Sequence, residues 1–182
     1  MTKNYPYKTK RFLREGQKNL SVMGDAKNID ELKRAFATFL EATKFSLHQL
    51  VVDYKGKLEG FDKWWGEKGK FLNEDELTNF FAKRLRNDVI KGREELLAIN
   101  FKIGEATLNG PLQIGPEGVL KLQIKNRVKE WVPMDVPTFE ITTWDIRNKP
   151  ESFNNTDGYS MCKKYFNILN NIADEFIEKF CI

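Results

Sequence analysis

Cysteine and histidine are scarce in this chain, which holds two cysteines, Cys162 and Cys181, and one histidine, His48. Neither a CxxC nor an HxxxH spacing occurs, so no ligand cluster is available for a structural or catalytic zinc site, and no metal is expected. The two cysteines fall 19 positions apart in a stretch that reads as one helix, which would hold them roughly 28 Å from each other. An internal disulfide is therefore not expected. Long apolar runs are missing as well: stretches such as Leu50-Val51-Val52 end after a few residues, whereas a bilayer span needs about 20. The start of the chain, Met1-Thr2-Lys3-Asn4-Tyr5-Pro6, carries charge with no apolar stretch behind it, unlike a secretory signal. The expectation is a cytoplasmic protein with no membrane contact. No nucleophile elbow, Walker loop, dinucleotide fingerprint or EF-hand pattern occurs, and no cofactor is expected.

The residues that are present describe a folded domain. With 182 residues, 41% hydrophobic and 31% charged, the chain is long and apolar enough to bury one core without covalent staples. A single domain over 1–182 is the expectation, made of a basic segment (1–28), helices (30–98), a β-rich insertion (101–147) and a C-terminal helix (160–180).

The net charge of +4 is mild, but the cations are not evenly spread. Lys3, Lys8, Lys10, Arg11, Arg14 and Lys18 make the N-terminal segment basic, and Lys83, Arg84, Arg86, Lys91 and Arg93 crowd the middle. Each cluster reads either as a solvated face or as a surface for an anionic partner.

Hydrophobic periodicity outlines three long helices. Leu32, Ala35, Phe36, Phe39, Leu40, Leu47, Leu50, Val51 and Tyr54 recur at three- and four-residue spacing over 30–54, with Asp30 as the expected N-cap. Gly56 and Gly60 punctuate the chain, and Phe61 to Trp65 predicts a short aromatic helix weakened by Gly66 and Gly69. One of the adjacent tryptophans should pack in the core and the other at a surface. Asn73 and Glu76 resemble a capping box opening a helix over 74–91, with Leu77, Phe81, Leu85 and Val89 inward and Gly92 as its stop. From Phe101 the period changes: Leu120, Leu122 and Ile124 alternate with polar residues, as do Phe139 and Ile141. Closely spaced prolines and glycines, Gly104 and Gly110 among them, predict turns in a small antiparallel sheet. Tyr165, Leu169, Ile172, Ala173, Phe176 and Phe180 then define a last helix over about 160–179.

Within the second long helix stands Lys83-Arg84-Leu85-Arg86-Asn87-Asp88-Val89-Ile90-Lys91-Gly92. Here the chain resembles the HEPN superfamily of small helical bundles, over roughly 30–98 and the terminal helix. Many members carry Arg, often Asn next, about three further residues and then His, and those are metal-independent ribonucleases. This chain has Arg86 and Asn87, but Lys91 at the histidine position. The fold class the resemblance implies is mainly α (α+β), a HEPN-like helical bundle with a small antiparallel β segment inserted before the last helix. It further implies a homodimer with Arg86, Asn87 and Lys91 of two copies lining one cleft.

The lysine changes the chemistry available. Cleavage of RNA by its own 2′-OH needs a group that exchanges protons near neutral pH, as histidine does and lysine ordinarily does not. Lys91 would have to lose about three pH units from its usual pKa, equivalent to about 4 kcal/mol, to act as a base at pH 7. As a cation it could instead stabilise a phosphorane. The forked guanidinium of Arg86 suits a phosphate, and Asn87 could orient a ribose hydroxyl. The bland alternative is a solvated helix face in which Arg84 pairs with Asp88. His48, at the edge of the first helix's stripe, reads as a partly buried, hydrogen-bonded residue or as a second candidate acid or base. The expected function is binding of RNA or a protein partner, with ribonuclease activity lost or weak. An active ribonuclease of the defence or toxin type is the alternative. A third reading is an interaction protein that uses the β segment through Trp131 and Trp144.

Overall fold

The computed structural model describes residues 5–85, 96–103, 112–114, 120–125, 131–133 and 139–181. Five α-helices and two small antiparallel sheets lie within them. The mainly α fold with a minor β component matches the reading from sequence.

The first helix, α1 (Tyr7–Asp25), occupies the segment that sequence reading identifies only as basic. Thr9, Leu13, Gly16, Leu20 and Met23 recur at four, three, four and three residues and are all buried. α1 lies along α2 (Ile29–Tyr54) and against the last helix. A Cβ at Gly16 would stand 3.2 Å from the Phe166 ring and 3.5 Å from Thr43, so a small residue is needed where the three helices meet. The N-cap of α2 is Asn28 rather than Asp30: its side chain accepts the Glu31 N–H at 2.9 Å, and the Glu31 carboxylate accepts the Lys27 N–H at 3.2 Å. Asp30 falls one position inside, in the first turn, where its charge complements the helix dipole.

α3 (Phe61–Glu74) is longer than its glycines suggest. Gly60, at φ +77°, begins it, and the helix continues through Gly66 and Gly69 to Glu74. Asn73 therefore sits in its last turn, donating to the Gly69 carbonyl at 2.8 Å, and the capping role passes to Asp75. The Asp75 side chain accepts the Thr78 N–H at 2.8 Å and opens α4 (Glu76–Asn79), which widens at once into a π-helical turn (Phe80–Leu85). The helix expected over 74–91 is thus a short α-turn and a π-turn as far as Leu85, and its continuation to Lys91 lies outside the described residues.

β1 (Leu97–Ile103) pairs antiparallel with β5 (Phe139–Ile146), from Leu97 opposite Ile146 to Ile103 opposite Phe139, with a register shift at Asn100/Phe101. Between them in sequence, β2 (Leu112–Ile114), β3 (Leu120–Lys125) and β4 (Trp131–Pro133) form a separate antiparallel meander. Gly104 and Gly110 lie outside the described residues. After a 3-10 turn at Glu151–Phe153 comes α5 (Gly158–Phe180), capped by Asp157, which accepts from the Ser160 N–H at 2.9 Å and hydroxyl at 2.7 Å.

The core has two parts. The larger joins α1, α2, the π-turn and α5 with the β1–β5 pair, through Leu13, Phe36, Phe39, Phe81, Tyr165, Leu169 and Trp144 among others. Of the residues expected on the inner stripes, Phe36, Phe39, Leu40, Phe81, Leu85, Leu169 and Phe176 are buried, while Leu47, Val51, Tyr54 and Phe180 are half-buried. The smaller cluster gathers Leu50, Phe61, Trp64, Ile172, Phe176 and Cys181 at the other end of α5. Each large apolar side chain so buried contributes roughly 1.5–3 kcal/mol. Cys162 and Cys181 are both buried. Among the described residues, no helix is long and apolar enough to cross a membrane.

Candidate functional site

The basic middle segment begins on the π-helical turn. Thr78 anchors its approach: buried, it donates its hydroxyl to the Leu72 carbonyl at 2.7 Å. Phe80, Phe81 and Leu85 then point into the core, and Phe81 stacks on Tyr165 with centroids 4.5 Å apart and planes 14° from parallel. The wider winding leaves Ala82, Lys83 and Arg84 outside, where all three are exposed. Neither Lys83 nor Arg84 forms an ion pair among the described residues. Of the predicted site residues the structure therefore places Lys83 and Arg84 together on one solvent-facing turn. Arg86, Asn87, Asp88, Lys91 and Arg93 lie outside the described residues, as do Val89 and Gly92.

His48 differs from expectation. It is exposed on α2, not partly buried, and its imidazole makes no hydrogen bond among the described residues. The reason is phase: Ser46 and Leu50 take the inward positions on either side of it, so position 48 faces water. Trp144 is also reassigned. It is only 8% exposed, meets Phe36 edge-on at 6.0 Å, and closes over Gly158, where a Cβ would come within 2.6 Å of its ring. That ring is core, not an interaction surface. Of the tryptophan pair, Trp64 is buried and Trp65 is half-buried, stacked on Phe61 at 6.0 Å and 6°.

An open cleft of about 440 Å³ lies where the end of α1, β5 and the start of α5 converge, lined by Asp25, Thr142, Trp144, Asp157 and Tyr159 among others. None of His48, Lys83 and Arg84 lines it. Burial pushes the Asp157 carboxyl up, but hydrogen bonds from the Ser160 hydroxyl and from nearby backbone N–H groups outweigh it and hold the pKa below the usual value. That carboxylate is engaged as a helix cap. Among the described residues no three His, Cys, Asp or Glu side chains are grouped to hold a metal ion.

The buried titratable groups are held in their neutral forms. Burial drives the Cys162 thiol well up and raises Tyr165 to about 12, with Thr43 acting in the opposite direction on the tyrosine. Neither is arranged as a nucleophile.

Compared with protein-family models, with curated proteins and with solved structures, the chain matches none.

Proposed function

We propose that this chain is a HEPN-like bundle that acts by binding RNA through the basic segment from Lys83 to Arg93, with cleavage lost or weak. The π-helical turn Phe80–Leu85 carries the proposal. It turns Lys83 and Arg84 outward, with no ion pair among the described residues, immediately ahead of Arg86-Asn87 in the sequence, and π segments are frequent at functional sites. Lys91 in place of histidine removes the proton-exchanging group from the motif, so the segment keeps its affinity for phosphate and loses its base. A homodimer pairing two such segments belongs to the same proposal.

Binding of labelled RNA in EDTA tests it. Lys83→Ala/Arg84→Ala and Arg86→Ala should each weaken binding and flatten its salt dependence, because every lost phosphate contact releases about 0.7 fewer counterions from a single strand. Lys91→His should introduce or raise cleavage. Strong cleavage by the unaltered chain, abolished by Lys91→Ala, would instead make it an active ribonuclease. Binding that none of the variants alters would leave the segment a solvated face.

A further inference from the structure

α1 has two faces of opposite character. The inner stripe from Thr9 to Met23 is buried, while on the other side Tyr7, Arg11, Arg14 and Lys18 recur at four, three and four residues. That spacing places them on one face of a helix. All four are exposed, Tyr7 at 57%.

The remaining cations of the helix are neutralised within the fold. Lys8 pairs with Asp53 of α2 at 3.3 Å, and Lys10 pairs with Asp174 of α5. Arg11, Arg14 and Lys18 have no ion pair among the described residues. The acid nearest to them on the helix, Glu15, accepts a hydrogen bond from the Asn19 amide at 3.0 Å. Like charges four residues apart, as Arg14 and Lys18 are, destabilise a helix. A partner that supplies negative charge relieves that repulsion.

Aromatic surface accompanies the cations. The Arg11 guanidinium stands 5.3 Å from the centre of the Phe12 ring, and Phe12 meets Phe45 of α2 at 5.7 Å. Over Phe45, at 5.1 Å, sits the ammonium of Lys44. Cations thus continue from α1 onto α2 across two half-buried rings.

We infer that the outward face of α1 binds single-stranded nucleic acid, with Arg11, Arg14 and Lys18 on neighbouring phosphates and Tyr7 stacked on an unpaired base. Single strands offer base faces to an exposed ring, and a duplex does not. An anionic membrane fits less well, because among the described residues α1 exposes no aliphatic side chain to enter the lipid: beside its cations stand the Tyr7 ring, edge-on to Tyr5 at 4.7 Å, and the half-buried Phe12. The inference uses none of the residues from Lys83 to Arg93 and stands whether or not that segment binds.

Fluorescence anisotropy with labelled oligouridylate of about 12 nucleotides, titrated from about 50 to 200 mM NaCl, tests the inference. Arg11→Ala/Arg14→Ala/Lys18→Ala should lower the slope of log K against log salt by about 2, from three contacts at about 0.7 each. Tyr7→Ala should weaken binding about fivefold or more with the slope unchanged, since stacking releases no counterions. Arg11→Lys/Arg14→Lys should retain the slope. All these positions are exposed, and an unchanged circular dichroism spectrum verifies the fold. Failure of the unaltered chain to bind overturns the inference. So does binding that the triple variant or Tyr7→Ala leaves intact, or tighter capture by phosphatidylserine vesicles. Loss of binding in Lys83→Ala/Arg84→Ala alone would leave the middle segment as the RNA surface and remove α1 from it.

Discussion

At the scale of single residues, stacking and charge set the strongest constraints. Phe81 is 2% exposed and lies face to face with Tyr165, so Phe81→Ala removes both a large buried volume and an aromatic pair. The expected loss is about 3–5 kcal/mol in urea unfolding, and a loss below about 1 kcal/mol would mean that the ring does not pack as described. Glu175 makes a pH-dependent contribution. Hydrogen bonding from Lys68, at 2.6 Å, and then from the Trp64 indole, at 2.8 Å, holds its carboxyl below the ordinary value of 4.5 despite some burial. A pKa lower in the folded than in the unfolded chain gives stability that is fully present above the unfolded value and fades as pH falls through the folded one. Glu175→Gln should therefore be less stable than the unaltered chain at pH 7, with the gap closing below about pH 4. Parallel urea midpoints for the two proteins from pH 7 to pH 3 would refute it.

At the scale of elements, what the sequence made legible was periodicity, and what it concealed was placement. The stripes of α2 and α5 are long and aromatic, and both helices match the expected spans within two residues at each end. α1 was missed in a segment read only as basic, although Thr9, Leu13, Gly16, Leu20 and Met23 keep helical spacing. Its small and polar members, Gly16 and Thr9, dilute the apolar signal among five cations. The end of α3 was hidden because Gly66 and Gly69 look like stops, whereas a helix flanked by a packed aromatic cluster tolerates their propensity cost. A Cβ at either glycine meets nothing within 4 Å. Gly66→Ala and Gly69→Ala should each stabilise the protein by about 0.5–1 kcal/mol, and destabilisation by either would contradict the open, helical environment of α3. The π-turn could not be read from sequence at all, because Leu77, Phe81 and Leu85 fit an α-helical stripe equally well. The solvent position of His48 and the burial of Trp144 depend likewise on tertiary contacts that a single-chain pattern does not carry.

At the scale of the whole molecule, a helical core formed by α1, α2, the π-turn and α5 leaves exposed cations without an ion pair among the described residues, those of α1 and Lys83 and Arg84 among them. His48 stands exposed on α2, and on the proposed HEPN-like reading Lys91 occupies the position of the proton-exchanging histidine. On the proposed reading the protein retains RNA without cutting it. The direct measurement is incubation of the unaltered protein with end-labelled single-stranded RNA in EDTA, followed in the same samples by anisotropy and by denaturing gel. The account predicts binding that weakens steeply with salt while the RNA stays full length. RNA cut to discrete products, or no binding at about 50 mM salt, where a surface of this charge should bind most tightly, would contradict it.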